Sequence, residues 1–312
     1  MEKYIVLADV TCDLSEELRN ICGMEDYVKG HFHISMNGEE RDVISTLDWS
    51  QISREEYFKT LSNRKAKVST SPPNVDEYVD AFEKYVKEGY KILSMSISSK
   101  ISSTYDFTCL AAQRVKEKMP EAEIYCVDTL RMSGAFGLLA FNACELQKEG
   151  KSFEEVIEWI EANKRRVHQM GPIDDLIFVA RRGRLTMGKA IMGSFAGVKP
   201  MGDCNGDGYV TILTKAKGIR KALDLTVNYV KETAVDPENN YAFVYHTDRE
   251  QYAEMVKTLI EQQIPFKKVY VSSSFPSNAT NIGPGMVGVY YFGNEITDLS
   301  AEKEVMAKLT GN

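Results

Sequence analysis

The stretch from Lys91 to Lys118, KILSMSISSKISSTYDFTCLAAQRVKEK, constrains the fold more than any other part of the chain. Lys91–Ile97 is apolar enough for a short buried strand, and Phe107, Leu110, Ala111 and Val115 fall near helical spacing. Between them lies a serine-dense turn: Ser98, Ser99, Lys100, Ile101, Ser102, Ser103, Thr104. Ser102 or Ser103 fits the helix N-cap, because its hydroxyl can accept from a first-turn backbone N–H. A strand feeding such a turn aims free N–H groups and hydroxyls at one point above a sheet, where an anion is favoured. A capped helix with solvated serines would have the same sequence.

The strand-then-helix order recurs. Tyr4–Asp9 predicts a strand, and Asp13-Leu14-Ser15-Glu16-Glu17 opens a helix with acids where its dipole favours them. Tyr27–Ser35 and Glu39–Val43 flank Asn37-Gly38, a hairpin signal. A helix near Arg54–Ser62 leads to a strand at Lys67–Thr70; Pro72-Pro73 ends it, and Asn74 caps a helix over Val75–Lys87. Ile124–Asp128 is a further strand, and helices at about Gly134–Lys148 and Ser152–Lys164 close the first half. This rhythm implies a mainly parallel, Rossmann-like sheet with function at the carboxyl ends of its strands, where Asp9, Thr70, Ser98 and Asp128 are expected.

The second half is less regular. Val167–Met170 is strand-like, Ile173–Arg181 and Met187–Gly197 predict helices, and Val198–Met201 with Tyr209–Leu213 predict a hairpin across Asp203–Gly208. Strands follow at Tyr241–His246, Lys267–Ser272 and Met286–Phe292, with helices at Ile219–Thr233, Arg249–Gln263 and Ala301–Leu309. Hairpins mixed with crossovers imply a mixed sheet. The expected class is α/β in two domains, 1–166 with the parallel sheet and 167–312 with the mixed one, joined around Lys164–Pro172.

Charge and composition narrow the function. A net charge of -7 argues against nucleic acid or acidic membrane as the main partner. No run approaches the roughly 18 apolar residues of a membrane span. Met1-Glu2-Lys3 runs straight into Tyr4–Ala8 without a signal peptide pattern, and six scattered cysteines with no C-x-x-C pair suggest reduced core thiols, so a cytoplasmic location is expected.

Several motifs fail on chemical grounds. Gly183 to Ala190 matches a phosphate-binding P-loop until its last position, where the magnesium-holding Ser or Thr is Ala190. Gly283-Pro-Gly285-Met-Val-Gly288 spells a dinucleotide fingerprint but leads into the β-branched and aromatic run Val287–Phe292, where a helix is needed. Asp203-Cys-Asn205-Gly-Asp207-Gly208 imitates a calcium loop, yet its twelfth position is Thr214 in place of a bidentate Glu, so a polar hairpin tip is expected. The four histidines lack metal spacing on a helix; His31 and His33 share a strand face with no third ligand, and no metal is expected. No G-x-S-x-G elbow occurs, and no serine has an obvious local base. The remaining surplus of hydroxyls and turn backbone suits binding a small anionic group better than transforming it.

The ordered set Ala8-Asp9-Val10-Thr11-Cys12-Asp13-Leu14, Ser69-Thr70-Ser71-Pro72-Pro73, Ser98 to Tyr105, Asp128-Thr129 with Ser133-Gly134, Gly183-Arg184-Leu185, Val198-Lys199-Pro200 and Ile282-Gly283-Pro284-Gly285 resembles the DegV proteins over nearly the whole chain. The resemblance implies two α/β domains holding a long-chain fatty acid between them, its carboxylate at the junction and its acyl tail in the second domain. Some members are the lipid-binding subunit of bacterial fatty acid kinase, offering the carboxylate to a separate ATP-using subunit. By this resemblance Thr70 and Ser102 are the hydroxyl donors, Ser103, Thr280 and Asn281 join the carboxylate site, and Arg184 and Ser99 support it. Ile191, Met192 and Phe195 are candidates for the tail.

The chain departs from the family pattern at Pro72, Asn74, Ser103 and Arg182, and at Asn281, where a histidine is usual. An asparagine amide donates hydrogen bonds but stays neutral, whereas histidine can also carry charge. Burying an acyl chain gains about 0.8 kcal/mol per CH₂, against about 0.3–2 kcal/mol for a carboxylate at a helix N-terminus. The tail therefore supplies affinity and the hydroxyls fix orientation. The expectation is a fatty-acid-binding protein without a cofactor, not an enzyme by itself. Alternatives are a hydrolase or phosphotransferase using Ser102 or Asp128, or a lipid-sensing carrier with no kinase partner.

Overall fold

A computed structural model describes residues 2–183 and 197–311 of the 312-residue chain. The first half runs β1 (Tyr4–Asp9), α1 (Glu16–Cys22), β2 (Tyr27–Val28), β3 (Gly30–Met36), β4 (Glu39–Ser45), α2 (Arg54–Ser62) and β5 (Lys67–Ser71). It continues with α3 (Val75–Lys87), β6 (Lys91–Ser96), α4 (Thr104–Lys118), β7 (Ile124–Asp128), α5 (Ser133–Lys148) and α6 (Phe153–Asn163). Next come β8 (Val167–Met170), α7 (Leu176–Arg181), β9 (Val198–Cys204), β10 (Val210–Lys217) and α8 (Ile219–Thr233). The chain ends with β11 (Tyr241–His246), α9 (Glu250–Gln263), β12 (Lys268–Ser273), α10 (Pro276–Ile282), β13 (Val287–Phe292) and α11 (Ser300–Thr310).

The class is α/β, with a parallel sheet ordered β2-β1-β6-β7 and a separate mixed sheet ordered β12-β11-β13-β8. β9 and β10 form the expected antiparallel hairpin. One expectation fails. The strands of the first half do not form one sheet, because β4-β3-β5 make a second, antiparallel sheet. Its inner face, Phe32, Ile34 and Val68, packs on Tyr57, Phe58 and Leu61 of α2. Thr70 therefore lies on an antiparallel strand, whereas Asp9, Ser98 and Asp128 do sit at or just beyond carboxyl ends in the parallel sheet.

Two helices also differ. α7 begins at Leu176, where the Asp175 side chain accepts from the Phe178 N–H and caps it, not at Ile173. α10 lies in a stretch read as a connection. Its seven residues, PSNATNI, show no apolar period, and Pro276 stands at the first turn, where its missing N–H costs nothing. The helix predicted at Met187–Gly197 falls almost wholly outside the described residues.

Helix α5 joins the two sheets. Its sequence, SGAFGLLAFNACELQK, is almost wholly apolar and buried from Ser133 to Cys144, as a helix segment enclosed by protein requires, and turns polar in its last turn. One core cluster runs from Val6 and Leu93 of the parallel sheet through Phe136, Leu139 and Phe141 to Phe243, Tyr245 and Tyr290 of the mixed sheet. Phe141 meets the rings of Tyr241 at 5.0 Å and Phe243 at 5.5 Å, edge to face. Glycines allow the approach on both sides. A Cβ on Gly134 would lie 2.4 Å from the Tyr290 ring, and one on Gly137 would lie 2.4 Å from the Cys12 carbonyl oxygen.

A buried carboxyl ties the start of α5 to both halves. Asp13 accepts from the Ser133 hydroxyl at 2.6 Å and from the Phe275 N–H at 3.0 Å. Asp13 and Ser133 both have left-handed backbone, φ 54° and 49°, uncommon for residues with a Cβ. Burial pushes the Asp13 carboxyl up to about 7, only partly offset by its hydrogen bonds to Ser133, Phe275 and Asn278.

Gly137→Ala should lower stability by about 1–3 kcal/mol in urea denaturation, because the clash is with backbone and not with a flexible side-chain end; an unchanged midpoint would contradict the packing described for α5. Asp13 carries a second expectation. Its carboxyl is raised in the folded chain, so the folded state holds the proton more tightly and stability from this group falls as pH rises from the ordinary aspartate range toward 7. Asp13→Asn removes that fall. The stability of the variant relative to the parent should rise by about 2–3 kcal/mol between pH 5 and pH 8, and a pH-independent difference would contradict the burial of this group.

Candidate functional site

A partly enclosed cavity of about 140 Å³ lies where the ends of β1 and β5, the β6–α4 turn and α10 face β8, the β9–β10 hairpin and the start of β13. Its polar lining includes Thr11, Thr70, Ser71, Ser102, Thr104, Ser277, Asn278 and Asn281. Its apolar lining includes Val10, Ile97, Ile101, Met132, Met170, Ile173, Val179, Val210, Ile212 and Met286. At roughly 10–15 Å³ per water-sized position, the free space holds about ten atoms, and a long-chain acid needs about twice that. Met132, Met170 and Met286 are unbranched and can change rotamer to admit a longer chain.

Thr70, Ser102 and Asn281 are thus brought onto one cavity, although 211 positions separate the first from the last. Asn281 Nδ2 donates to Thr70 Oγ1 at 3.1 Å and to the Ser277 carbonyl at 3.0 Å. Both hydrogens of the amide are engaged, so Asn281 orients Thr70 and leaves the threonine O–H free to point at a ligand. Ser102 Oγ lies 2.7 Å from Thr104 Oγ1 and accepts from the Thr104 N–H at 3.3 Å. One hydroxyl of that pair is therefore free to donate into the cavity, at the N-terminus of a 15-residue helix.

Other expected residues lie elsewhere. Thr280 is fully buried and hydrogen-bonds the Tyr57 hydroxyl at 2.8 Å, on the α10 face turned away from the cavity. Ser103 occupies the N-cap position of α4, but its exposed side chain makes no capping bond. Ser99 acts through its backbone, donating to Asp128 Oδ1 at 3.2 Å, and Asp128 also accepts from the Leu130 N–H. The hydrogen bonds of Ser102 go to Thr104, and those of Asp128 to backbone N–H groups. Arg184, Ile191, Met192 and Phe195 lie outside the described residues, as does most of the P-loop-like run.

The other rejected motifs have structural uses. Gly283 and Gly285, at φ 82° and 100°, make the turn from α10 into β13. A Cβ on Gly285 would lie 2.1 Å from Asp174 Oδ2, a carboxylate paired with Lys199 at 2.5 Å and Arg249 at 2.8 Å. Asp203 is buried and accepts from the N–H groups of Gln169 and Cys204, with His168 Nδ1 3.1 Å away. Asn205 to Tyr209 close the hairpin tip through Asn205 Oδ1.

Several cavity residues were not anticipated. Thr104 and Thr11 look like helix and turn residues in sequence, and Ser277 and Asn278 arrive on the unrecognised α10. Thr11 donates to Asp9, whose carboxyl burial pushes up to about 6 despite further hydrogen bonds from the Thr11 and Ile97 N–H groups. Ser71 also has a base that only the folded register supplies. His33 Nε2 lies 3.0 Å from Ser71 Oγ, and His33 Nδ1 hydrogen-bonds Asp42 across the β3–β4 pair. The order Ser-His-Asp is that of an acyl-transfer triad. However, Asp42 has 86% of its side chain exposed, and Pro72 and Pro73 after Ser71 have no N–H for an oxyanion. The array fits orienting a hydroxyl better than attacking an ester.

The DegV family model, described as a family of uncharacterised proteins, matches residues 3–294. A DegV domain-containing protein of Clostridium perfringens is 29% identical over 94% of this chain and 99% of its own length. Among solved structures, a DegV family protein of Thermus thermophilus described as fatty acid binding superposes with a TM-score of 0.81 at 24% identity, covering 94% of this chain and all of its own. One from Ruminococcus gnavus carrying vaccenic acid gives 0.80 at 21%, covering 92% and 99%. The Streptococcus pneumoniae Fatty Acid Kinase B3 protein, loaded with linoleic acid, gives 0.76 at 18%, covering 94% and 100%. With its family model matched almost end to end, the chain belongs to the DegV family.

Proposed function

We propose that this chain binds a long-chain fatty acid in the cavity lined by Thr70, Ser102 and Met170 and is a carrier, not an enzyme by itself. The observation that carries this reading is the composition of one cavity wall: free hydroxyls at Thr70 and the Ser102–Thr104 pair, continuous with methionine-rich apolar lining. A carboxylate accepting from those hydroxyls would replace the hydrogen bonds it loses on leaving water, which an uncharged apolar cavity could not do. The tail would lie among Met132, Met170 and Val210. The fatty acids in the related structures support the same assignment.

The Asn281–Thr70 bond bears on the departure from the usual histidine. A neutral amide holds Thr70 in its donating orientation but adds no positive charge, so among the described cavity residues the carboxylate would rely on hydroxyls and the α4 dipole. Presentation of that carboxylate to a separate ATP-using kinase subunit is the further step of the proposal, in line with the pneumococcal neighbour.

Delipidated protein titrated with oleate in a calorimeter should bind one equivalent, and Thr70→Val, which keeps the shape and removes the hydroxyl, should weaken binding about 5- to 100-fold. Affinity should rise along a series of saturated acids, by up to about 0.8 kcal/mol per CH₂. Absence of binding at any chain length would overturn the proposal. With a cognate ATP-binding subunit added, acyl phosphate should form only when both proteins are present.

A further inference from the structure

Four of the six cysteines, Cys12, Cys22, Cys144 and Cys204, are buried as core thiols, but Cys109 and Cys126 are only half-buried. Cys109 lies on α4 and Cys126 on β7, 17 positions apart in a sequence with no C-x-x-C spacing. Packing of α4 on β7 sets the two thiols together on one short stretch of surface, close enough for each to shift the other's titration. Both line a surface groove, separate from the acid cavity, with Tyr105, Gln113, Lys116 and Tyr125. We infer that Cys109 and Cys126 form a peroxide-reactive dithiol that closes to a reversible intramolecular disulfide.

The two sulfurs are unequal. The neighbouring Cys126 side chain, with Tyr105 and Thr108, holds the Cys109 thiol below the ordinary thiol range against the opposing pull of burial and Asp106. Cys109 and burial push Cys126 up. Thiolate character with access to solvent marks the sulfur that reacts first, and an adjacent thiol resolves the product. Cys109 thiolate attacks one oxygen of hydrogen peroxide; the O–O bond breaks, and hydroxide leaves and is protonated to water, giving a sulfenic acid. The Cys126 sulfur then attacks the Cys109 sulfur; the S–O bond breaks, and the departing hydroxide takes the Cys126 proton as a second water. Two thiols and one peroxide yield one disulfide and two waters.

A second pair supplies the internal control. Cys22 of α1 and Cys144 of α5 are also neighbours, in one core cluster, but they are 0% and 1% exposed, out of reach of an oxidant. Proximity alone would predict that both pairs react, whereas access predicts one.

The test treats the full chain with hydrogen peroxide and reads it by intact mass and non-reducing peptide mapping. The expected result is a mass loss of about 2 Da, a single Cys109–Cys126 link, and full recovery with dithiothreitol. Cys126→Ser should stop at a dimedone-trapped sulfenic acid on Cys109, and Cys109→Ser should slow thiol loss by about tenfold or more. A Cys22–Cys144 link, uniform loss of all thiols, a sulfinic acid on Cys109 with Cys126 free, or no reaction of the wild-type chain would each overturn the inference. The wild-type map decides the matter even if a variant fails to fold.

Discussion

Helix α5 is the element that ties the parallel sheet to the mixed sheet. Its stretch from Ser133 to Cys144 offers almost nothing polar to water, and it is enclosed by α1 and β1 on one side and by β8, β11 and β13 on the other. The close fit needs Gly134 against Tyr290 and Gly137 against Cys12, where any larger residue would push a sheet away. At the N-terminal end the spacing is fixed by polar means, through the Asp13 carboxyl that joins Ser133 and the Phe275 N–H. Arg131, fully buried, adds donors to the carbonyls of Val167 and Asn205 and so binds the same corner to the second half.

The cavity lies beside that corner. There the β6–α4 turn, β5 and α10 face the mixed sheet and the β9–β10 hairpin. Contacts across the gap are specific. Ser98 donates to the Gly208 carbonyl at 2.9 Å, and Asn278 donates to the Thr11 carbonyl at 2.8 Å. The gap has alcohol groups where a strand end and a helix start converge, and methionines and branched aliphatics where the sheets face each other. An amphiphile with an acidic head satisfies both surfaces at once. Its energetics are asymmetric: area removed from water supplies most of the free energy, while the hydroxyls decide which end of the molecule stays at the rim.

Much of this was legible in the sequence. The strand-turn-helix at Lys91–Lys118, the alternation in the first half and the Val198–Leu213 hairpin all follow from local periodicity and turn chemistry, and the structure has them. Thr70 and Ser102 could be singled out by family resemblance, and both line the cavity. What local reasoning missed is long-range. The antiparallel sheet carrying Thr70 depends on pairing β3 with β5, and helix α10 is too short and too polar to announce itself. Thr280 and Asn281 are neighbours in sequence yet lie on different faces, because a helix turns about 100° per residue. The same limit hid the His33–Ser71 contact and both cysteine pairs, since strand register and helix packing, not sequence spacing, place those atoms together.

The account stands or falls on where an acid's two ends lie between the sheets. A crystal structure of the chain grown with palmitate measures this directly. It should show the carboxylate within about 2.5–3.2 Å of Thr70 Oγ1 and of the Ser102 or Thr104 hydroxyl, with the chain threaded among Met132, Met170 and Val210. A carboxylate pointing toward those methionines, or palmitate bound elsewhere with this cavity unfilled, would contradict it.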